Sequence, residues 1–327
     1  MGLFGRQPKV AKNTRLFFAT DIHGSEPCFR KFINAGNFYR CQHLILGGDI
    51  TGKQIVPITR HPDGTYSSRL RDQRFDTVDE PELAEVKRLI RVGGDYPVVG
   101  SEDELAELRD PACLERRFRK IVYDSVVDWV TFADEFLSGT GQRVFVAPGN
   151  DDFFEIDRAF EGSSVVEFVE GKSLELGEGH SMITTGYSNP TPWNTERELP
   201  EDALEQRLEE MVSHVDDVEN LVAVIHPPPF DSHLDYAPQL DGDLRIQFDG
   251  MGGVRMTPVG STAVRSFIEN HQPLLTLHGH VHEGGGRVAI GRTQCLNPGS
   301  EYAKGTLVGA IVTIAAGKVL SHQFVNG

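Results

Sequence analysis

The chain has 327 residues, of which 39% are hydrophobic and 24% are charged, a balance typical of a folded globular protein rather than a disordered one. Its 48 acidic and 32 basic residues give a formal net charge of −16, and such a surface repels the phosphate backbone of nucleic acids. The composition therefore disfavours extended nucleic acid as a partner, unless basic residues cluster locally.

The cysteines and the first residues of the chain indicate in which cellular compartment the protein is expected. Cys28, Cys41, Cys113 and Cys295 are scattered without a Cys-x-x-Cys pair, which predicts reduced core residues rather than disulfides or a zinc site. Residues 1–15 lack the apolar stretch of a signal peptide, and Arg6 stands where a myristoylation signal has Ser or Thr. Because no apolar run reaches the length of a membrane span, we expect a cytoplasmic protein without a membrane partner.

Short apolar runs that alternate with helical patterns predict the elements in chain order. Five runs are typical of buried strands, at residues 15–20, 43–48, 143–148, 221–226 and 274–279. Between the first two, Phe29, Phe32 and Ile33 share one helix face, which predicts a β-α-β beginning. At the end of the chain, residues 285–300 and 307–326 predict strands joined by glycine turns in a second, more antiparallel sheet.

The stretch between Gly52 and Gly141 is long for a connection between two core strands. A turn at residues 62–64 separates two β-like arms, and helical patterns follow near 80–92, 101–109 and 113–139, with another at 200–215. We find no internal repeat and no linker, so we predict a single domain over residues 1–327 with a cap-like insertion at about 53–140. With no metal-like cluster of its own, the insertion is expected to select substrate or assemble subunits.

Polar residues follow each of the five core strands. They are Asp21 and His23, then Asp49, then Asn150, Asp151 and Asp152, then His226, and last His278, His280 and His282. Each one alone has a structural explanation, such as a helix cap, a turn residue or a satisfied core histidine. Because functional groups gather at the carboxyl edge of open α/β sheets, all five together favour one shared crevice.

The chemistry of this set is that of a metal site. Carboxylates, an amide oxygen and imidazoles are ligands suited to Mn²⁺, Fe or Zn²⁺. A set of this size is large enough for two metals if one carboxylate bridges them, and two such cations clamp a phosphate and lower the pKa of a bridging water. We therefore expect two divalent ions, with Mn²⁺ preferred and Fe or Zn²⁺ as alternatives.

The order of these motifs resembles that of the calcineurin-like metallophosphoesterases, which is D-x-H, G-D, G-N-x-[DE], a lone H and G-H-x-H. The matching residues are Asp21-Ile22-His23, Gly48-Asp49, Gly149-Asn150-Asp151-Asp152, His226 and Gly279-His280-Val281-His282. The resemblance runs from about residue 15 to residue 300, and "LNPGS" at 296–300 is similar to the following segment in bacterial and archaeal members. It implies an α/β fold of two packed mixed β-sheets flanked by helices, with the site at the edge of the sandwich.

The resemblance also implies a ligand set and a reaction. One metal would take Asp21, His23, Asp49 and His282, and the other Asp49, Asn150, His226 and His280, with Asp49 as the bridge and His278 outside the set. The implied reaction is hydrolysis of a phosphoester by attack of a metal-bridging hydroxide. Asp49, Asn150, Asp151 and His226 are the predicted catalytic residues.

Two departures from the family pattern limit the range of expected substrates. Asp151 stands where many members have a histidine that donates to the leaving-group oxygen, and a carboxylate near two cations should stay ionised and be a poor acid. Phosphodiesters and aryl esters are therefore favoured, although His278 or His233 remains open as another acid. The sequence after Asp49 lacks the Asp-Arg-Gly continuation of Ser/Thr protein phosphatases, which argues against that subgroup.

Other residues are candidates for the rim of the pocket. The long loop at 226–261 is expected to border the pocket. Lys53, Arg245 and Arg255 are candidate phosphate contacts, and Asn189 and Trp193 could reach the rim, although a surface or turn role is an alternative for each. The expected partner is a small phosphoester, and a homo-oligomer is left open. A nuclease and a non-catalytic scaffold of the same fold remain rival functions.

Overall fold

The computed structural model describes residues 13–327. Residues 1–12 lie outside the described residues. They include Arg6 and most of the segment that was predicted to lack a signal peptide. The helices are α1 (Glu26–Tyr39), α2 (Glu80–Val92), α3 (Glu102–Ala106), α4 (Pro111–Leu137), α5 (Glu201–Val212) and α6 (Thr262–His271). Short 3-10 helices lie at Glu107–Arg109, Phe154–Phe160, Val218–Asn220 and Tyr302–Lys304. Across residues 13–327, none of the helices combines the length and the apolar character that crossing a membrane requires.

The strands follow the same chain order. The first nine are β1 (Thr14–Ala19), β2 (His43–Gly47), β3 (Ile55–Arg60), β4 (Tyr66–Leu70), β5 (Gln73–Val78), β6 (Tyr96–Gly100), β7 (Arg143–Ala147), β8 (Val166–Phe168) and β9 (Ser173–Gly177). The others are β10 (His180–Thr185), β11 (Leu221–Ile225), β12 (Tyr236–Pro238), β13 (Met256–Pro258), β14 (Leu275–Leu277), β15 (Gly286–Ile290), β16 (Thr293–Asn297), β17 (Val308–Ala315) and β18 (Lys318–Asn326).

Two mixed six-stranded sheets pack face to face. Their strand orders are β18-β17-β1-β2-β7-β8 and β15-β16-β14-β11-β10-β9. Alternate residues of the central strands, such as Phe18, Ile45 and Phe145 of the first sheet, meet Val224 and Leu277 of the second in one buried cluster. The five strands predicted to be buried are therefore central strands of one or the other sheet.

Helices cover the two outer faces of this sandwich. The opposite face of β1, through Phe17, packs with Phe32 of α1 and Val126 of α4, while Leu208 of α5 and Phe267 of α6 pack on the second sheet. Each such side chain contributes about 1.5–3 kcal/mol by leaving water. The predicted α/β fold of two packed mixed sheets flanked by helices is confirmed.

The two strand pairs at the end of the chain join different sheets. β15 and β16 extend the second sheet through β14, whereas β17 pairs antiparallel with β1, with Phe17 opposite Ile311. The prediction that both pairs close one second sheet is therefore wrong for residues 307–326. A local pattern identifies a hairpin, but the sheet edge it joins depends on which apolar face remains uncovered.

The predicted insertion divides into parts with different surroundings. β3, β4, β5 and β6 form a separate four-stranded sheet, in the order β5-β4-β3-β6, and helix α2 packs on it through its own small core. The predicted turn is present, since His61 N donates to the Thr65 carbonyl (2.8 Å). Helix α4, by contrast, packs in the main core beside α1. A cap role for residues 53–140 stays a prediction.

The long loop after His226 contains an ordered β arm, residues 236–258, that projects into solvent. Its sequence repeats after eight residues, with Gln239-Leu240-Asp241-Gly242 followed by Gln247-Phe248-Asp249-Gly250. In each unit the aspartate Oδ1 accepts from backbone N–H groups two and four residues later, at 2.8–3.0 Å. The two units are paired turns of four residues, too short to be an internal repeat of the kind that builds a fold, so the prediction of no internal repeat stays a prediction.

The cysteines carry no disulfide in the part of the chain that the structure describes. Cys28, Cys41 and Cys295 are free and buried, as predicted for reduced core residues. Cys113, on α4, is free but half-exposed and lies outside the core.

Candidate metal centre

The loops after β1 and β2 place the first three predicted ligands on strained backbone. Asp21, His23 and Asp49, together with His280 after β14, have left-handed φ values of 52°, 38°, 47° and 66°. Non-glycine residues pay about 1 kcal/mol or more for this conformation, so surrounding contacts must hold it. Here the two loops bind each other, because Asp21 N donates to the Gly48 carbonyl and His23 N to the Asp49 carbonyl, both at 2.9 Å.

The first donor set comprises Asp21, His23 and His282. The Nε2 atoms of the two histidines are 3.0 Å apart, and Asp21 Oδ1 lies 3.4 Å from His282 Nε2 and 4.0 Å from His23 Nε2. These donor atoms are close enough together to hold one metal ion. The structure therefore brings together residues that are 261 positions apart in the chain, from Asp21 to His282.

The second donor set comprises Asp49, Asn150, His226 and His280. His226 Nε2 is 3.5 Å from Asp49 Oδ1, and His280 Nδ1 is 2.8 Å from Asn150 Oδ1. Thr195 Oγ1 accepts from Asn150 Nδ2 (3.0 Å), which turns the amide oxygen toward His280. Asp21, Asp49 and His226 form another group whose donor atoms could share an ion.

The Asp49 carboxylate lies between the two sets. Its Oδ2 is 3.7 Å from His23 Nε2, while its Oδ1 is 3.5 Å from His226 Nε2. Asp21 also spans the cluster, because His280 N donates to both of its carboxylate oxygens at 3.1 Å. Five of the seven predicted ligands thus belong to groups that could hold an ion, namely Asp21, His23, Asp49, His226 and His282. Asn150 and His280 bond to each other beside these groups, with the His280 ring centre 5.3 Å from that of His226.

The close approach within this cluster needs glycine beside the ligands. A Cβ atom on Gly279 would lie 2.1 Å from Thr20 Oγ1 and 2.3 Å from Asp21 Oδ2. Any larger residue would therefore push apart the loops that carry Asp21 and His280, which is the physical reason for the glycine in that motif.

The donor chemistry fits divalent cations. His226 Nδ1 donates to the Gly47 carbonyl (3.1 Å), so it is the Nε2 atom that faces the cluster and would offer its lone pair to a cation on losing its proton. Within residues 13–327 this buried Nε2 has no hydrogen-bond partner. Among the described residues, the buried Nδ1 of His23 also lacks a hydrogen-bond partner. Unpaired buried nitrogens facing carboxylates at 3.5–4.0 Å are costly unless a cation joins them.

The charges of the cluster act strongly on its histidines. Burial would lower the pKa of His226, but the carboxylates of Asp49 and Asp21 raise it to about 10. Burial lowers the pKa of His23 to about 3 and that of His280 to about 4. A proton on His226 thus balances part of the carboxylate charge, and a bound cation would take over that role and release the proton.

The carboxylates themselves stay ionised. Burial would raise the pKa of Asp21, but the hydrogen bond with His282 and the charge on His226 lower it to about 2. The pKa of Asp49 also lies well below its ordinary value, because His226 and His23 outweigh the effect of burial. Two buried carboxylates that remain negative favour a cation between them.

Asp151 and Asp152 occupy different environments. Asp152 is fully buried and accepts hydrogen bonds from the backbone N–H groups of Ile50, Thr51 and Gly149, at 2.8–3.1 Å. It therefore joins the loop of Asp49 to the loop of Asn150. Asp151 lies at the mouth, where burial and the charge of Asp49 raise its pKa to about 6 despite an ion pair with a lysine.

The two histidines left open as alternative acids are engaged elsewhere. His278 is buried, its Nδ1 donates to the carbonyls of Ile225 and Pro227, and its Nε2 bonds to Thr276 Oγ1 (2.8 Å). With both ring nitrogens engaged it is not available as an acid, and burial lowers its pKa to about 4. His233 stacks on Tyr236 at the base of the arm.

The predicted arginine contacts belong to the arm. Arg245 is exposed and lies 3.5 Å from Asp243, and the backbone of Arg255 pairs with Gln239 and Gln247. Asn189 Nδ2 donates to the Val259 carbonyl (3.2 Å), and Trp193 is 63% exposed. The described contacts of the two arginines are therefore within the arm, the described contact of Asn189 is with Val259 directly after the arm, and Trp193 faces solvent.

Sequence reasoning missed residues that hold the ligands in place. Ser300 Oγ donates to the Asp21 carbonyl (2.6 Å), and Asn297 Nδ2 donates to the carbonyls of Gly279 and Val281. The Tyr302 ring packs on His23, with ring centres 4.6 Å apart. The segment at 296–300 was the available signal, but the sequence does not show which backbone atoms it contacts.

No protein-family model matches the chain. An uncharacterized protein of Methanocaldococcus jannaschii is 29% identical over 158 residues, which cover 48% of this chain and 63% of that protein, so the match spans less than two thirds of the relative.

One crystal structure superposes with a TM-score of 0.52 at 13% identity, covering 97% of this chain and 99% of that one. At that identity the likeness shows a shared fold. An archaeal phosphodiesterase aligns with a TM-score of 0.38 at 10% identity, covering 96% of this chain and 100% of that one.

Proposed function

We propose that this chain is a calcineurin-like metallophosphoesterase that hydrolyses a small phosphoester, with a phosphodiester favoured. The observation that carries the proposal is the Asp49 carboxylate, whose two oxygens face His23 and His226 at 3.7 and 3.5 Å. A shared carboxylate with imidazoles on both sides is the arrangement expected for holding two cations next to each other.

Two divalent cations, when bound, would supply positive charge to the phosphoryl oxygens and lower the pKa of a water molecule. The residues of this chain hold and orient the site. Asp21, His23 and His282 would form one side and Asn150, His226 and His280 the other, with Asp49 shared. Mn²⁺ is the proposed ion, with Fe and Zn²⁺ as alternatives, since the donors are nitrogen and oxygen throughout.

The preference for a diester rests on the groups that could protonate a leaving group. The pKa of about 6 leaves Asp151 mostly ionised at neutral pH, and a lysine engages its Oδ2 atom. The ring nitrogens of His278 are both hydrogen-bonded inside the fold. A substrate whose leaving group departs without a strong acid, such as an aryl or other activated phosphodiester, suits this site best.

The direct test is a substrate panel run with added Mn²⁺ and with chelator. It should contain an aryl phosphodiester, cyclic nucleotides, alkyl phosphomonoesters, and single- and double-stranded DNA. We expect metal-dependent hydrolysis of the diester, with alkyl monoesters slower. Faster alkyl monoester hydrolysis would contradict the proposed preference, and cleavage of DNA would favour the nuclease alternative.

Metal content separates an enzyme from a scaffold of the same fold. Elemental analysis should find about two ions per chain in the native protein. Asp49→Asn should lose both together, because it removes the shared carboxylate, and should lose hydrolysis with them. A native protein that binds no metal would instead support the scaffold.

The partner and compartment predictions remain proposals. The free cysteines support a reducing, cytoplasmic location. Light scattering of the purified protein would measure whether a homo-oligomer forms.

A further inference from the structure

Lys53 lies at the mouth of the ligand cluster, where the insertion begins. Its Nζ is 2.6 Å from Asp151 Oδ2, and its side chain is 53% exposed. An ammonium group has three donors, of which this ion pair uses one. In the part of the chain from residue 13 onward the other two have no recorded partner, so they can meet an anion that enters from solvent.

Asp151 is fixed by the ligand residues on both sides of it. Its backbone N donates to Asp49 Oδ1 (3.0 Å), and Asn150 Nδ2 donates to its Oδ1 (3.2 Å). Its Oδ2 lies 4.0 Å from His23 Nδ1. One carboxylate oxygen is thus anchored inside the cluster, while the other holds the lysine above it.

This arrangement differs from an ordinary surface ion pair. His23, Asp49 and Asp151 have donor atoms close enough to share a cation. The positive group that pairs with Asp151 is the ammonium group of Lys53. The lysine therefore supplies positive charge at a position within the same cluster as the proposed metal ligands. An exposed pair between two flexible side chains would have no such anchor.

We propose that Lys53 binds an anionic phosphoryl oxygen of the substrate and that Asp151 is the positioning residue that holds its ammonium group over the cluster. This inference rests on the proposed function and deepens it by naming the contact for the phosphoryl group. Lysine suits the role because it is a compact point charge on a long stem, able to follow the phosphoryl group as it binds and leaves.

Inorganic phosphate is the probe. It is titrated calorimetrically into the Mn²⁺-loaded protein, with the metal content of every sample measured by elemental analysis. Lys53→Met keeps the stem and removes the charge. The matched control is Lys304→Met, which also removes one charge, from a lysine that pairs with Glu301 (3.1 Å) and is 73% exposed.

We expect Lys53→Met to bind phosphate about 10- to 100-fold more weakly, the loss typical of one charged hydrogen bond. Lys304→Met should bind as the native protein does, and metal content should be unchanged in both. Asp151→Asn should also weaken phosphate binding, but in the Lys53→Met background it should cause no further loss. Such non-additivity is specific to a residue that acts through the lysine.

The inference is overturned if Lys53→Met binds phosphate normally, if Lys304→Met weakens it equally, or if Lys53→Met loses metal. Additive losses at Lys53 and Asp151 would overturn the positioning role. If the native protein hydrolyses phosphoesters and Lys53→Met still binds phosphate normally, only this inference is refuted and the proposed function stands. A native protein that binds neither metal nor phosphate refutes the proposed function as well.

Discussion

Asp152→Asn tests whether the buried carboxylate that joins the two ligand loops governs metal binding. Asp152 Oδ2 accepts from Gly149 N at 2.8 Å, and its Oδ1 accepts from Thr51 N at 2.9 Å and from Thr51 Oγ1 at 2.7 Å. Asparagine has nearly the same shape, but one of the two acceptor oxygens becomes an NH₂ group. That group must then face a backbone N–H donor.

The cost follows from the hydrogen bonds. A buried donor left without an acceptor costs about 1–3 kcal/mol, and hydrogen bonds to a charged group contribute about 1.5–3 kcal/mol. Removing a negative charge close to Asp49 recovers part of this, because burial and that neighbour already raise the pKa of Asp152. We therefore expect the free energy of unfolding to fall by about 2–4 kcal/mol.

The loss of stability should come with weaker metal binding. The loops that Asp152 joins carry Asp49 and Asn150, and residues that orient metal ligands typically change affinity about 10- to 100-fold. Unfolding in urea with chelator measures the stability of the metal-free protein, and calorimetric titration with Mn²⁺ measures the affinity.

Asp134→Asn is the matched control. Asp134 Oδ1 also accepts several hydrogen bonds, from Ser163 Oγ, Ser164 N and Val165 N at 2.8–3.1 Å, but it lies on α4, outside the ligand loops. Its substitution should reduce stability without changing Mn²⁺ affinity. The reasoning fails if Asp152→Asn and Asp134→Asn bind Mn²⁺ equally well.

Three more predictions follow from other parts of the fold. Gly149→Ala should abolish Mn²⁺ binding, because its Cβ would lie 2.1 Å from Asp49 Oδ1. The control Gly242→Ala, in the open arm, should leave Mn²⁺ affinity unchanged. Equal Mn²⁺ affinities of the two variants in a calorimetric titration would contradict this prediction. Burial lowers the pKa of His43 below its ordinary 6.5, so the stability it contributes is present above that pH and lost as the pH falls. The free energy of unfolding of His43→Gln, measured in urea with chelator, should therefore lie further below that of the native protein at about pH 7.5 than at about pH 5. An equal difference at both pH values would contradict a lowered pKa of His43. Phe248→Ser, on a 59% exposed side chain, should change the unfolding free energy by less than about 0.5 kcal/mol, and a larger loss would show that the arm is packed.

The sequence predicted the central fold because its signals are local. A buried strand shows as a short apolar run, and the polar residues directly after it are adjacent in the chain, as with Asp49 after β2 and His226 after β11. Since parallel strands end at the same edge of a sheet, their meeting point could be anticipated from the pattern. The exclusion of His278 from the ligand set likewise accords with its buried position and its bonds to backbone carbonyls.

The tertiary structure decided what depends on residues far apart. Asp152 meets Ile50 across 102 positions, Lys53 meets Asp151, and the hairpin of β17 and β18 extends the first sheet instead of the second. No local pattern distinguishes these partners, because hydrogen bonds and ion pairs depend on distance in space. Sequence alone therefore determined which residues reach the sheet edge, and the folded chain determined which of them hold the others in place.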